Sequence, residues 1–129
     1  MTHKSSKAAA AAVIHKLRAY REAAQAINAS IAGKVNFSTA ELALLHLQLA
    51  TLKDDIADYY KRCDKVQSRS QLTELECRYL CPAVSDMHVH FKAKRQSDPH
   101  SGRWIDSLLD VVSYANYWLG TLEAQYPDI

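Results

Sequence analysis

The sequence predicts an all-α fold, an antiparallel four-helix bundle-like domain whose third helix is kinked at Pro82. Three observations carry that expectation. Glycine and proline number three each in 129 residues, so turns are few and the elements between them long. Apolar residues recur at three- and four-residue steps in four separate segments. Two Ser/Thr-x-x-Glu capping boxes mark helix starts. No segment alternates as βαβ, and no Gly-rich phosphate loop occurs. The chain is read as one domain, large enough to bury a core without metal or disulfide help, with residues 1–6 expected to be disordered.

The first helix is expected from about Ser6 to Ala32, with Val13, Leu17, Tyr20, Ala24, Ile27 and Ile31 on one stripe and Gly33 as its C-terminal cap. Alanines 8–12 raise its helix propensity and let a neighbouring backbone approach closely. The second starts at Ser38, which can cap while Glu41 reaches back. Leu42, Leu45, Leu49, Leu52, Ile56, Tyr59 and Cys63 then form one face through to about Gln67. Thr73 and Glu76 offer the third start, and that helix is expected to reach about Arg95. Pro82 inside it removes a hydrogen bond and crowds the preceding turn. Asp98 and Pro99 suit the cap and first position of the fourth helix. Its face is Trp104, Ile105, Leu108, Val112, Ala115, Leu119 and Leu122, and Pro127 closes it.

A net charge of +2 hides an asymmetry. Residues 1–34 carry +5, whereas residues 104–129 carry four acids and no lysine or arginine. Opposite signs at the two ends predict that the first and last helices lie side by side, or that copies associate head to tail. The alanine-rich start is too weakly hydrophobic for a signal peptide, and no apolar run is long enough to cross a membrane. A cytoplasmic protein without a membrane partner is the expectation. An odd count of three cysteines excludes a complete disulfide framework.

The stretch C-P-A-V-S-D-M-H-V-H-F, residues 81–91, crowds residue types that bind zinc. On a regular helix Cys77, Cys81, Val84 and His88 fall together on the apolar stripe, while His90 points about 200° from His88. The H-x-H pair therefore cannot converge on one ion. Only a bend at Pro82 could gather Cys77, Cys81 and His88 with Cys63. No metal and no cofactor are expected.

Acidic groupings offer a different chemistry. L-K-D-D-I-A-D places Asp54, Asp55 and Asp58 on the second helix, and Asp106 and Asp110 stand one turn apart on the fourth. Facing helices bearing such acids could hold Mg²⁺ over a triphosphate. The segment D-S-L-L-D-V-V-S-Y-A resembles the last helix of all-α nucleotide pyrophosphohydrolases of the MazG kind, and D-D-I-A-D is a loose counterpart of that family's acidic motif. The resemblance implies a Mg²⁺-dependent pyrophosphohydrolase using Asp55, Asp58, Asp106 and Asp110. The chain departs from the pattern in using Asp where Glu is usual and in placing Ser107 where an acid belongs. No nucleophile-and-base arrangement can be argued from the serines and histidines.

Lys92, Lys94, Arg95 and Arg103 could touch phosphates as a non-specific nucleic-acid contact, although such binders usually carry a larger basic excess. The fourth helix is the more suggestive surface. Tyr114 and Tyr117 share its outward side with Asp106 and Asp110, and Trp118 lies on the border. Aromatic residues without nearby lysine are the composition of an interface core. The sequence thus points first to a small non-enzymatic helical protein that binds a protein partner or itself, as inhibitor, adaptor or self-associating module. The pyrophosphohydrolase and nucleic-acid readings are its alternatives.

Overall fold

Tertiary placement follows from a computed structural model that describes residues 3–65, 70–91 and 102–129, with the side chains of 3–6, 102 and 103 set aside. The described residues are all helical or connecting chain. Helix α1 spans His3–Ile31, α2 Thr39–Asp64, α3 Cys81–His90 and α4 Gly102–Gln125, and a π-helical turn, Glu76–Leu80, leads into α3. None of these helices is long and apolar enough to cross a membrane.

Local chemistry sets the starts. Ser38 Oγ accepts from Glu41 N–H at 3.1 Å, and the Glu41 carboxylate accepts from Ser38 N–H at 2.9 Å. The Thr73–Glu76 box is built the same way, both bonds at 3.1 Å. Each box satisfies two N–H groups that helix geometry leaves without an intrahelical partner. Gly33 ends the first element in the left-handed region at φ 78°, where Lys34 N–H reaches back to Ile31 C=O.

Several boundaries differ from expectation. Helix α1 is already formed at His3, since the alanine run propagates helix backwards at little cost; residues 1 and 2 lie outside the described residues. Helix α2 stops at Asp64, where Lys65 turns extended, and α3 stops at His90, where Phe91 turns extended. The expected cap at Asp98 and Pro99 falls outside the described residues. Pro82 lies inside a continuous helical run, residues 74–90, directly after its π-helical turn. Its missing N–H therefore falls where the hydrogen-bond ladder is already irregular.

The stripe of α1 is buried as the sequence implies, with Ala10 and Ile14 added to it, and α2 buries its stripe apart from half-exposed Leu42. Helix α3 differs. Leu80, Cys81, Ala83, Val84, Met87 and Phe91 go inward, whereas Cys77 and His88 remain half-buried. The π turn spreads an extra residue over one turn, so the face before it does not project straight onto the face after it. Helix α4 buries Trp104, Ser107, Leu108, Val111, Ala115, Leu119 and Leu122 and leaves Ile105 and Val112 half-exposed, a face turned by one residue.

Helix α1 packs most extensively on α4, and α2 packs on α3, α3 on α4 and α1 on α2. Contacts between the first and last helices run in opposite order along the chain, which makes the pair antiparallel. Lys7 pairs with Asp128, Arg18 with Glu123, and Arg21 donates to Asn116. Two opposite charges of the end helices are therefore paired within the molecule.

Candidate functional site

The π-helical turn, α3 and α4 bring five rings and one carboxylate together along one seam. The Tyr79 and Trp118 rings meet edge to face at 6.5 Å, and Tyr117 meets Trp118 the same way at 5.2 Å. His90 and Tyr114 lie 5.1 Å apart in a tilted pair. The Trp118 indole N–H points at the Asp86 carboxylate, 3.5 Å away. Edge-to-face placement suits ring quadrupoles and fixes the rings against each other.

The His90 tautomer follows from its partners. Nδ1 lies 2.8 Å from the Asp86 carbonyl, which can only accept, so Nδ1 carries a proton. In the neutral ring Nε2 is then the acceptor for the Tyr114 hydroxyl at 3.4 Å. His90 thus ties α3 to α4 while remaining exposed.

The five residues expected to meet a partner divide unevenly. Tyr117 is 73% exposed and Asp106 is exposed, whereas Asp110, Tyr114 and Trp118 are half-buried. Tyr114 and Trp118 pack partly against the core, so their rings are held rather than free. Tyr79, Asp86 and His90 belong to the same patch and were not selected from sequence. Their pattern on α3 is unremarkable until α4 is laid antiparallel beside it.

Around the cysteines, Cys63 and Cys81 form a disulfide between α2 and α3, with Cα atoms 5.5 Å apart. Cys77 and Cys81, expected together on the apolar stripe, part company, since Cys81 is buried and bonded to Cys63 while Cys77 stays half-buried. The Cys63 and Cys81 sulfurs are spent on each other, which leaves Cys77 as the free cysteine. His88 stacks flat on Tyr60 of α2 at 4.4 Å, while His90 turns to α4. The H-x-H pair diverges, as helix geometry required. Close by, the Tyr59 hydroxyl donates to the Glu76 carboxylate. Burial and this bond push the Tyr59 phenol well above its ordinary range. Burial would raise Glu76, but the bonds from Tyr59 and Thr73, with the Arg62 charge, hold its carboxyl below the ordinary value.

The acidic groupings remain apart. Asp54, Asp55 and Asp58 are exposed on α2, and Asp106 and Asp110 lie on α4, a helix that packs far less on α2 than α3 does. Among the described residues no three His, Cys, Asp or Glu side chains converge as metal ligands. Lys92, Lys94 and Arg95 lie outside the described residues, as does the side chain of Arg103.

No protein-family model matches this chain, and neither curated proteins nor solved structures yield a similar one.

Proposed function

We propose that the protein works without catalysis, by binding a protein partner through the α3–α4 seam. The observation that carries this reading is the packed set Tyr79, Tyr114, Tyr117 and Trp118, with Tyr117 standing 73% exposed at its edge. Rings already fixed by their neighbours lose little freedom on binding, and tyrosine and tryptophan dominate the energetics of interfaces. Asp86 lies at the Trp118 indole, Asp106 and Asp110 precede Tyr114 on α4, and residues 104–129 contain no lysine or arginine. The complementary surface is basic and presents apolar or aromatic anchors. A second copy could meet it only with a surface other than the α1 cations already paired to α4.

In the same reading the helices stand as an antiparallel bundle with α3 bent at the π turn beside Pro82, which aims Tyr79 and His90 at α4. A cytoplasmic location agrees with the Cys63–Cys81 pair only if that disulfide opens and closes in use, because cytosolic thiols are held reduced.

The test is affinity purification from the native host with the wild-type chain and with Tyr117→Ala/Asp110→Lys. A protein enriched by the wild type and lost from the double variant, with unchanged helical circular dichroism, is the expected result. Equal recovery by both chains refutes the reading.

A further inference from the structure

All three cysteines of the chain meet at one place. A cavity of about 280 Å³ opens where the end of α2 faces the π turn and the start of α3, and Cys63, Cys77 and Cys81 line it together with Pro82 and Ser85. Cys63 and Cys81 are bonded to each other and are only 5% and 6% exposed. Cys77, one turn before Cys81, is half-buried and keeps its thiol. The Tyr59 hydroxyl, one turn before Cys63 on α2, donates to Glu76, the neighbour of Cys77, and so ties the π turn to the end of α2. A thiol and a disulfide therefore share one cavity.

We infer that this cavity is a thiol–disulfide exchange site, in which Cys77 attacks the Cys63–Cys81 bond. Exchange requires a thiolate, a disulfide sulfur and access between them, and the shared cavity supplies the access. Cys63 is the sulfur attacked. Side chains one helical turn apart keep their Cβ atoms about 5–6 Å apart. That is wider than a disulfide's span of about 3.5–4.5 Å, so a Cys77–Cys81 bond would tear the turn open. Cys63 stands on another helix and can change partners without that cost. Cys77 gives up its proton and its sulfur bonds to Cys63 Sγ. The Cys63–Cys81 bond breaks, and its electron pair leaves on Cys81 Sγ, which takes up a proton. The step is redox-neutral and needs no outside oxidant or reductant. Its effect is to move the free thiol while α2 stays crosslinked to the segment that follows it. With Cys77 free the thiol is half-buried and meets small disulfides and electrophiles; with Cys81 free it lies in the core, away from them.

Trypsin separates the two states, because cleavage after Arg62, Lys65, Arg69 and Arg78 leaves each cysteine on its own peptide. The full chain is equilibrated at mildly alkaline pH without reductant, quenched in acid, unfolded, blocked with N-ethylmaleimide and digested without reduction. Mass spectrometry should find Cys63–Cys77 peptides with maleimide on Cys81, beside the Cys63–Cys81 form with maleimide on Cys77. Cys81→Ser, treated with oxidised glutathione, should close a Cys63–Cys77 bond about tenfold faster in native buffer than in urea, because the fold holds the two sulfurs near each other. Cys63–Cys81 as the sole crosslink in the wild type overturns the inference. So does closure in Cys81→Ser no faster than in urea, or glutathione left separately on Cys63 and Cys77. If circular dichroism shows that Cys81→Ser does not fold, the wild-type distribution alone decides.

Discussion

Helix α1 meets its two neighbours in opposite ways. Toward α4 it closes. Arg18 reaches Glu123 through Nε and Nη2 at 3.0 and 2.8 Å and donates from Nη1 to the Ile129 carbonyl, while Lys7 and Arg21 tie the flanks. Toward α2 it stays open, with alanines where a filled seam would need larger side chains. One helix therefore carries a closed face and an open one. The difference is written in side-chain volume, since both faces lie on the same regular helix. The third solution is covalent, the disulfide between α2 and α3.

The largest expected effect breaks the closed side. Leu119→Ala, at a fully buried position on α4, should cost about 3 kcal/mol in urea unfolding, as large-to-small core changes do. A cost well under 1 kcal/mol would mean that the seam carries little of the fold. Next comes the disulfide, which joins positions 18 residues apart. Cys63→Ser, or reduction with dithiothreitol, should lower stability by about 3 kcal/mol if restriction of the unfolded chain is the main cause. Thermal unfolding with and without reductant checks it, and Cys77→Ser should leave the difference between the two in place.

A smaller effect sharpens the comparison. Arg18 and Glu123 are partly solvated, so Arg18→Ala should cost about 1 kcal/mol, and less in high salt. A double-mutant cycle with Glu123→Gln at two salt concentrations separates the ion pair from the bond to Ile129. The smallest effect is acid-dependent. Because Glu76 is held below its ordinary value, its contribution is present above the ordinary glutamate range and is lost as pH falls through the lower folded-state value. Glu76→Gln should therefore be less stable than wild type near neutrality and converge on it as pH falls through that lowered value in pH-dependent urea titrations.

What the sequence made legible was local. The Ser38–Glu41 and Thr73–Glu76 boxes span four residues each, so spacing alone locates them. The α1 stripe needs only regular 3.6-residue geometry. Charge at the chain ends left two arrangements open, α1 beside α4 or copies head to tail, and the Lys7–Asp128 and Arg18–Glu123 pairs realise the first within the chain. Periodicity stops predicting burial where the helix ceases to be regular. The π turn at Glu76–Leu80 moved Cys77 and His88 off the buried face and left Cys81 opposite Cys63. On α4 the stripe passes through Val111, and the two adjacent valines gave no local means of choosing between them. The α4 half of the aromatic patch could be selected from composition. Its other half, Tyr79 of the π turn with Asp86 and His90 of α3, exists only through contact between segments distant in sequence.

The central claim is that the α3–α4 seam, and not the basic or acidic surfaces elsewhere, meets the partner. It is tested most directly by isothermal titration of the partner captured from the host against three chains. Wild type and Lys16→Ala should bind alike, and Tyr117→Ala should bind at least about tenfold more weakly, as loss of a well-packed aromatic anchor implies. Undiminished affinity in Tyr117→Ala, or a loss confined to Lys16→Ala, would contradict it.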